Sequence, residues 1–335
     1  PMLRRHYGRM MAGAVILLLV SVLLSLTFGS VKLSISEVFG LLTGQGFNLP
    51  INAELLNTIV WQIRLPRILT AVLVGAGLAI CGAILQNASR NPLADPYLFG
   101  LMAGAGLGAT LVSVVLPPQM VSMALGAFAG ALFAVALVFA VCAGQRWRKV
   151  ETTLLAGVAV SFMLSAISSF ILYFAEPFAA NRIMFWLMGS LSRTDWYSVA
   201  LLAPVTLIVL LLALALRRQL DALLFSDESA RTLGVNTLRL RLILLLATAL
   251  LTACIVSQCG GIAFVGLMVP HIVRHFFGVT SVRLLLGSAV VGALFMIWVD
   301  NLARLILPQQ EIPLGVITSL AGSIFFLLIM RRQRL

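Results

Sequence analysis

Residues 65–86 read LPRILTAVLVGAGLAICGAILQ, with Arg67 as the lone charge, and this run decides the class of the molecule. A helix needs about 20 apolar residues to cross the hydrocarbon core of a bilayer, and the stretch supplies them without interruption. Working outward, similar runs recur at about 11–29, 93–116, 119–142, 152–174, 196–216, 240–257, a short one at 261–276, 284–304 and 313–330. With 65–86 they predict an all-α polytopic membrane protein of about ten transmembrane helices, a single permease-like domain over 1–335. Composition agrees. Apolar residues make up 61% and charged residues 10%, against roughly 45–50% and 25% in globular domains. No soluble enzyme could cover its surface with so few charges. The run from Met11 to Phe28 lacks a convincing cleavage site for a signal peptide, and an opening proline suggests a trimmed N-terminus.

The net charge of +12 would suit a nucleic-acid partner, but the basic residues sit in short clusters between apolar runs rather than along one face, so none is expected. Their placement instead orients the chain. With a cytoplasmic N-terminus the inside holds Arg4, Arg5, Arg9, Arg90, Arg146, Arg148, Lys149, Arg217, Arg218, Arg231, Arg239, Arg241, Arg274, Arg283, Arg331, Arg332 and Arg334, 17 in all, and the outside keeps Lys32, Arg64, Arg67, Arg182, Arg193 and Arg304, which is six. That bias satisfies the positive-inside rule and predicts a bacterial inner-membrane protein with both termini in the cytoplasm. Only Lys32 and Lys149 among the basic residues are lysines; nothing in the sequence explains that preference.

Small residues recur at helical spacing: Gly75, Ala79, Ala83; Gly100, Gly104, Gly108; Gly126, Gly130. In lipid such stripes let helix backbones approach closely, which points to packing within the chain or to a dimer seam. Cys81, Cys142, Cys254 and Cys259 show no metal-ligand spacing and read as small packed hydrophobes. His271 and His275 lie i, i+4 without an intervening glutamate, so the zinc-protease pattern is missing. No metal or cofactor is expected. An ion-coupled carrier holds acids well inside its spans, whereas the acids here lie mostly at span ends or in loops. Asp300 is the exception, and Arg304 four residues on would pair with it in a helix. There is no GxxxxGK[ST] loop, so the chain is not expected to hydrolyse ATP by that route.

Two segments stand out. WQIRLPR, 61–67, puts Arg64 and Arg67 at the outer mouth of the second span, and Pro66 suits a helix start. DALLFSDESARTLGVNTLRLR, 221–241, lies in a cytoplasmic loop of about 217–241. There Ser226 fits an N-cap, Asp227 and Glu228 a first turn, Arg231 a last turn and Gly234 a C′ stop. That short helix is a handle a partner could grip.

Taken with RNPLADPYLFGLMAGAGLG (90–108), LLAGVAVS (154–161), FWLMGSL (185–191), GGIAFVGLMVPHIVR (260–274), DNLAR (300–304) and EIPLGVITSLAGSIFFLL (311–328), these stretches closely resemble the FecCD family over nearly the whole chain. Its members are permease subunits of type II ATP-binding-cassette importers for cobalamin, haem and ferric siderophores. The resemblance implies a homodimer with one path along its two-fold axis. It also implies two cassette ATPase subunits gripping the Ser226–Val235 helix, and a periplasmic binding protein whose acidic residues meet Arg64, Arg67 and Arg304. It places Ser161, Ser165, Ser168 and Ser169 along the path. It sets Val150 and Glu151, with Thr152 and Thr153, where the cobalamin member has small hydroxyl gate residues; KVETTLLAG departs from that pattern. A small oxyanion such as molybdate on the same scaffold, or an ion-coupled secondary carrier, are the alternatives.

Overall fold

The computed structural model describes residues 6–44, 52–117, 122–143 and 150–332, the side chains of Val150 and Glu151 excepted. Every regular element among them is helical: α1 (Tyr7–Thr27), α2 (Ile35–Thr43), α3 (Ala53–Thr58), α4 (Leu65–Ser89), α5 (Leu101–Val115), α6 (Met123–Val141), α7 (Val150–Tyr173), α8 (Pro177–Leu187), α9 (Trp196–Ala215), α10 (Arg217–Phe225), α11 (Asp227–Thr232), α12 (Thr237–Cys259), α13 (Val265–Phe276), α14 (Ser281–Leu305) and α15 (Leu314–Arg332). Eight helical rods among the described residues are long and apolar enough to cross a membrane. The fifteen-residue α5 and twelve-residue α13 complete the ten segments expected from the sequence. The basic cluster 146–149 and the terminal arginines at 4, 5 and 334 lie outside the described residues.

The bundle is built around α4. Of its most apolar window 83% is buried, against 17% for α1 and for α15. A helix apolar on every side belongs inside other helices when it is central, and against lipid when it is peripheral. Accordingly α1 shows Ile16, Leu17 and Leu19 outward, while α4 packs on α9, α12, α13 and α14. Small residues make this packing tight. Any Cβ added at Gly75 would collide with the Gly292 carbonyl of α14, and one at Gly108 or Gly130 would strike the facing glycines of α5 and α6. These stripes pack within the chain.

Three details differ from the sequence expectation. Pro66 stands in the first turn of α4, as expected, but α4 does not start from a free end. A π-helical turn, Ile59–Arg64, joins α3 to α4 in one rod, and such a turn shifts the hydrogen-bond register so that a proline can follow. The third span is shorter than 93–116, because Asp95 caps a 3₁₀ turn at Pro96–Phe99 and Gly100 adopts φ +77° before α5 begins. Between the fifth and sixth spans α8 adds a helix, and the loop after the sixth holds α10 as well as α11.

The four cysteines are all buried and free. His271 meets the rings of Phe325 and Phe326 edge-on, and His275 that of Phe276.

Candidate functional site

Each end of α4 carries a polar cluster, and each cluster joins segments far apart in sequence. At the first end, Arg64 donates from Nη1 to the Leu26 carbonyl at 2.8 Å and from Nη2 to the Val31 carbonyl. It therefore ties α1 and the following turn to the rod. Arg67 meets two carboxylates. Its Nε donates to both oxygens of Asp300 (3.2 and 3.0 Å) and its Nη2 to Oδ1 at 2.8 Å. Its Nη1 and Nη2 also donate to the two oxygens of Glu311 at 2.8 and 2.9 Å. Arg304 reaches Asp300 at 3.5 Å and donates to the Asn301 side chain at 2.6 Å. Asn301 continues the chain to Ser25 of α1, and Trp298 to Ser21.

The three arginines expected at one mouth are thus brought together from distant parts of the chain, around one recess of about 830 Å³. They line that recess, but not as free surface charge. Arg64 and Arg67 are only 4% and 8% exposed, because backbone carbonyls and two acids absorb their charge. With three cations against Asp300 and Glu311, the cluster keeps one net positive charge. Arg304 does lie i, i+4 from Asp300, but the closer partner of that acid is Arg67. Glu311 is one of the acids the sequence places at span ends or in loops, and no pairing with Arg67 is expected of it there.

The opposite end of α4 is clasped twice. Arg274 of α13 donates to Gln86 and Asn87, while Gln86 donates to the carbonyls of Ala94 and Gly266. Next to this, Asp227 of α11 accepts both Nη atoms of Arg241 at 2.8 Å and meets Arg90 at 3.1 Å. Arg241 also donates from Nε to the Ala88 carbonyl. The expected caps of α11 are present: Ser226 accepts from the Ser229 amide at 2.9 Å, and Gly234 takes φ +81° while its amide reaches the Arg231 carbonyl. Glu228 projects from the same first turn, flanked by Phe225 at 84% and Leu233 at 72% exposure.

Asp227 therefore faces inward, holding α11 to α4 and α12. The hydrogen bonds from Arg241 hold its carboxyl below the usual carboxylate range, despite partial burial. A carboxyl with a depressed folded pKa stabilises the folded arrangement above its unfolded value near 3.9, and loses that contribution as pH falls through the folded value. Asp227→Asn is accordingly expected to speed amide exchange across α11 at neutral pH. In the wild type the same loosening should set in only below about pH 4 and grow as pH falls through the lower folded value. Exchange mass spectrometry at pH 7 and pH 3.5 checks both.

On α7 the candidate path residues Ser165 and Ser169 are exposed, and Ser161 and Ser168 half-buried with their hydroxyls bonded to the Gly157 and Leu164 carbonyls. They share an uncovered side with Leu155, Phe162 and Phe170. Thr152 is half-buried and Thr153 buried. The side chains of Val150 and Glu151 lie outside the described residues.

An all-helical bundle that crosses a membrane many times, with polar clusters at both ends of its central helix, is the frame of a membrane permease. Over residues 17–332 the chain matches the FecCD transport family. It is 36% identical over 342 residues to the hemin transport system permease protein HmuU of Yersinia pestis, covering 98% of each chain. It is 40% identical over 286 residues to the cobalamin import system permease protein BtuC of Halobacterium salinarum, covering 85% of this chain and 76% of that one. A solved structure of a metal-chelate type ABC transporter in an inward-facing conformation matches with a TM-score of 0.85 at 30% identity, over 97% of this chain and 99% of that one. The chain belongs to the FecCD transport family and is a permease subunit of an ABC importer.

Proposed function

We propose that this permease imports a metal chelate across a bacterial inner membrane, with haem favoured over ferric siderophores and cobalamin. The observation that carries the cargo class is the full-length similarity to a hemin permease, alongside relatives named for cobalamin and Fe(3+)-citrate. Two copies enclose one path, and the uncovered apolar side of α7 and α15 supplies surface for the second copy. Both termini face the cytoplasm, in keeping with the charge bias. A periplasmic binding protein docks around the recess of Arg64, Arg67 and Arg304, where net positive charge suits acidic lobes and speeds encounter. Separate cassette ATPases grip α11, whose Glu228 is free for a partner while Asp227 is engaged within the chain.

In this scheme the permease makes and breaks no covalent bonds. ATP-driven movement of α11 reaches the end of α4 through Asp227, Arg241 and Arg90, and the access of the path alternates. Reconstitution with a cassette ATPase and a binding protein tests the scheme. Haem uptake into proteoliposomes is expected to require ATP and both partners. Glu228→Arg combined with Arg231→Glu should cut ATPase co-purification and uptake at least about tenfold, the effect of reversing a charged contact worth about 1.4 kcal/mol, without lowering permease yield. Uptake driven by an ion gradient in the absence of an ATPase would remove the proposal.

A further inference from the structure

The two acids on Arg67 are not equivalent. Asp300 sits within α14 with 2% of its side chain exposed, bonded along the Nε edge of the guanidinium. Glu311 lies in the non-helical segment before α15 with its side chain 40% exposed, and it takes the terminal Nη1–Nη2 end. That end is the one a carboxylate arriving from outside would use for a two-pronged bond. It is already filled from within the chain.

We infer that Glu311 is a displaceable counter-ion, an internal stand-in for an acidic side chain of the docking partner, which takes its place on Arg67 when the partner binds. The inference rests on the docking face proposed above. Asp300 stays as the permanent partner, so Arg67 is never left buried and unpaired, which would be costly. Glu311 leaves readily, because a side chain with access to water recovers its hydration on release.

Its departure has a mechanical consequence. The segment beginning at Glu311 is bonded by backbone to the turn after α8: the Leu314 amide donates to the Gly189 carbonyl at 3.0 Å and the Gly315 amide to the Met188 carbonyl at 2.8 Å. That turn is joined in its own right to the end of α12, the Ser190 amide donating to the Cys259 carbonyl at 2.9 Å. Glu311, Gly189, Ser190 and Gln258 line one cavity at this mouth. Removing Glu311 from Arg67 takes away the side-chain tie on this segment and leaves it held by backbone alone, the Ile312 amide on the Ala303 carbonyl at 3.0 Å besides the two bonds above, so docking loosens this side of the cavity. Until a partner arrives, the same contact keeps the Nη1–Nη2 end of Arg67 covered.

The test uses the permease with its ATPases in nanodiscs and the binding protein that supports uptake in proteoliposomes, followed by surface plasmon resonance at low and high salt. Glu311→Gln is expected to bind about tenfold tighter, the gain from uncovering one charged bonding site. Glu54→Gln removes an equal charge from exposed α3 without touching Arg67, and is expected to shift affinity less than about twofold. In an Arg67→Lys background, where the second edge of the guanidinium is gone, the gain from Glu311→Gln should vanish. In the wild type, partner binding should speed hydrogen exchange at the Leu314 and Gly315 amides. A Glu311→Gln affinity equal to that of Glu54→Gln, with salt-sensitive association in both, overturns the counter-ion role and leaves the docking face standing. Association that ignores salt in every variant overturns the docking face as well.

Discussion

Asp300→Ala is expected to leave little folded permease in the membrane. The carboxylate is 1% exposed and accepts three hydrogen bonds from Arg67, besides pairing with Arg304. Truncation leaves two largely buried cations facing each other, with Glu311 serving one and only the Asn301 amide the other. Breaking a buried pair from one side costs about 3–5 kcal/mol, since the desolvated charge that remains has no compensation. A protein has about 5–15 kcal/mol of stability in all, so this single change removes a large share of it. Glu311→Ala takes an acid from the same guanidinium, but a partly exposed one, and should cost about 0–1 kcal/mol. Thermal unfolding in detergent, read by size-exclusion chromatography, separates the two. The paired replacement Asp300→Leu with Arg67→Met should recover only the part of the loss due to Arg67, because apolar residues often match a buried ion pair in stability while Arg304 keeps only Asn301. It should not recover docking. Wild-type yield and melting in Asp300→Ala would mean that the network contributes nothing to the fold.

That network also marks the limit of what the sequence disclosed. Local features were legible: the apolar runs, and the serine and glycine that bound α11. Each is set by residues within a turn or two of one another. Asp300 with Arg304 was legible for the same reason, lying one turn apart. Arg67 with Glu311 was not, since the partners are 244 positions apart and nothing near either one announces the other. So the sequence places the arginines at the outer mouth without the internal partners that take up most of their charge. Consequently, reversing both Arg64 and Arg67 cannot isolate docking. At Arg67 it would gather three carboxylates, and at Arg64 it would strip two carbonyls of their donor. Besides the six-residue α3, the helices missed were α8 and α10. Both had signals, Pro177 at a first helical position and Leu220 with Leu223 at i, i+3, but each is shorter than a span and sits beside a stronger apolar run.

The glycine stripes yield the second large effect, because their consequence depends on which neighbour they meet. Gly130→Leu is expected to prevent α5 and α6 from packing, with loss of folded protein. At Gly130 even a first side-chain carbon would collide with the Gly104 carbonyl oxygen and lie 2.9 Å from the Gly108 amide nitrogen, so the obstacle is backbone on the facing helix. Backbone cannot swing aside as a side chain can; the helices must separate by roughly the width of a methyl group. Separation forfeits dispersion contacts along the whole interface, and in lipid no hydrophobic drive replaces them. Overpacking of this kind costs about 1–3 kcal/mol even where side chains yield. Where backbone opposes backbone, the loss should exceed that range. Gly13→Leu supplies the contrast, since nothing lies within 4 Å of its added carbon on a helix whose apolar side faces outward. It should fold and transport as the wild type does, and gain slightly in helix propensity. Fluorescence-detected size exclusion of the two variants, expressed side by side, reads the difference. Equal peaks would mean that α5 and α6 are not held at backbone contact. Collapse of Gly130→Leu alone would locate the tight seam inside one subunit and leave the uncovered side of α7 and α15 for the second copy.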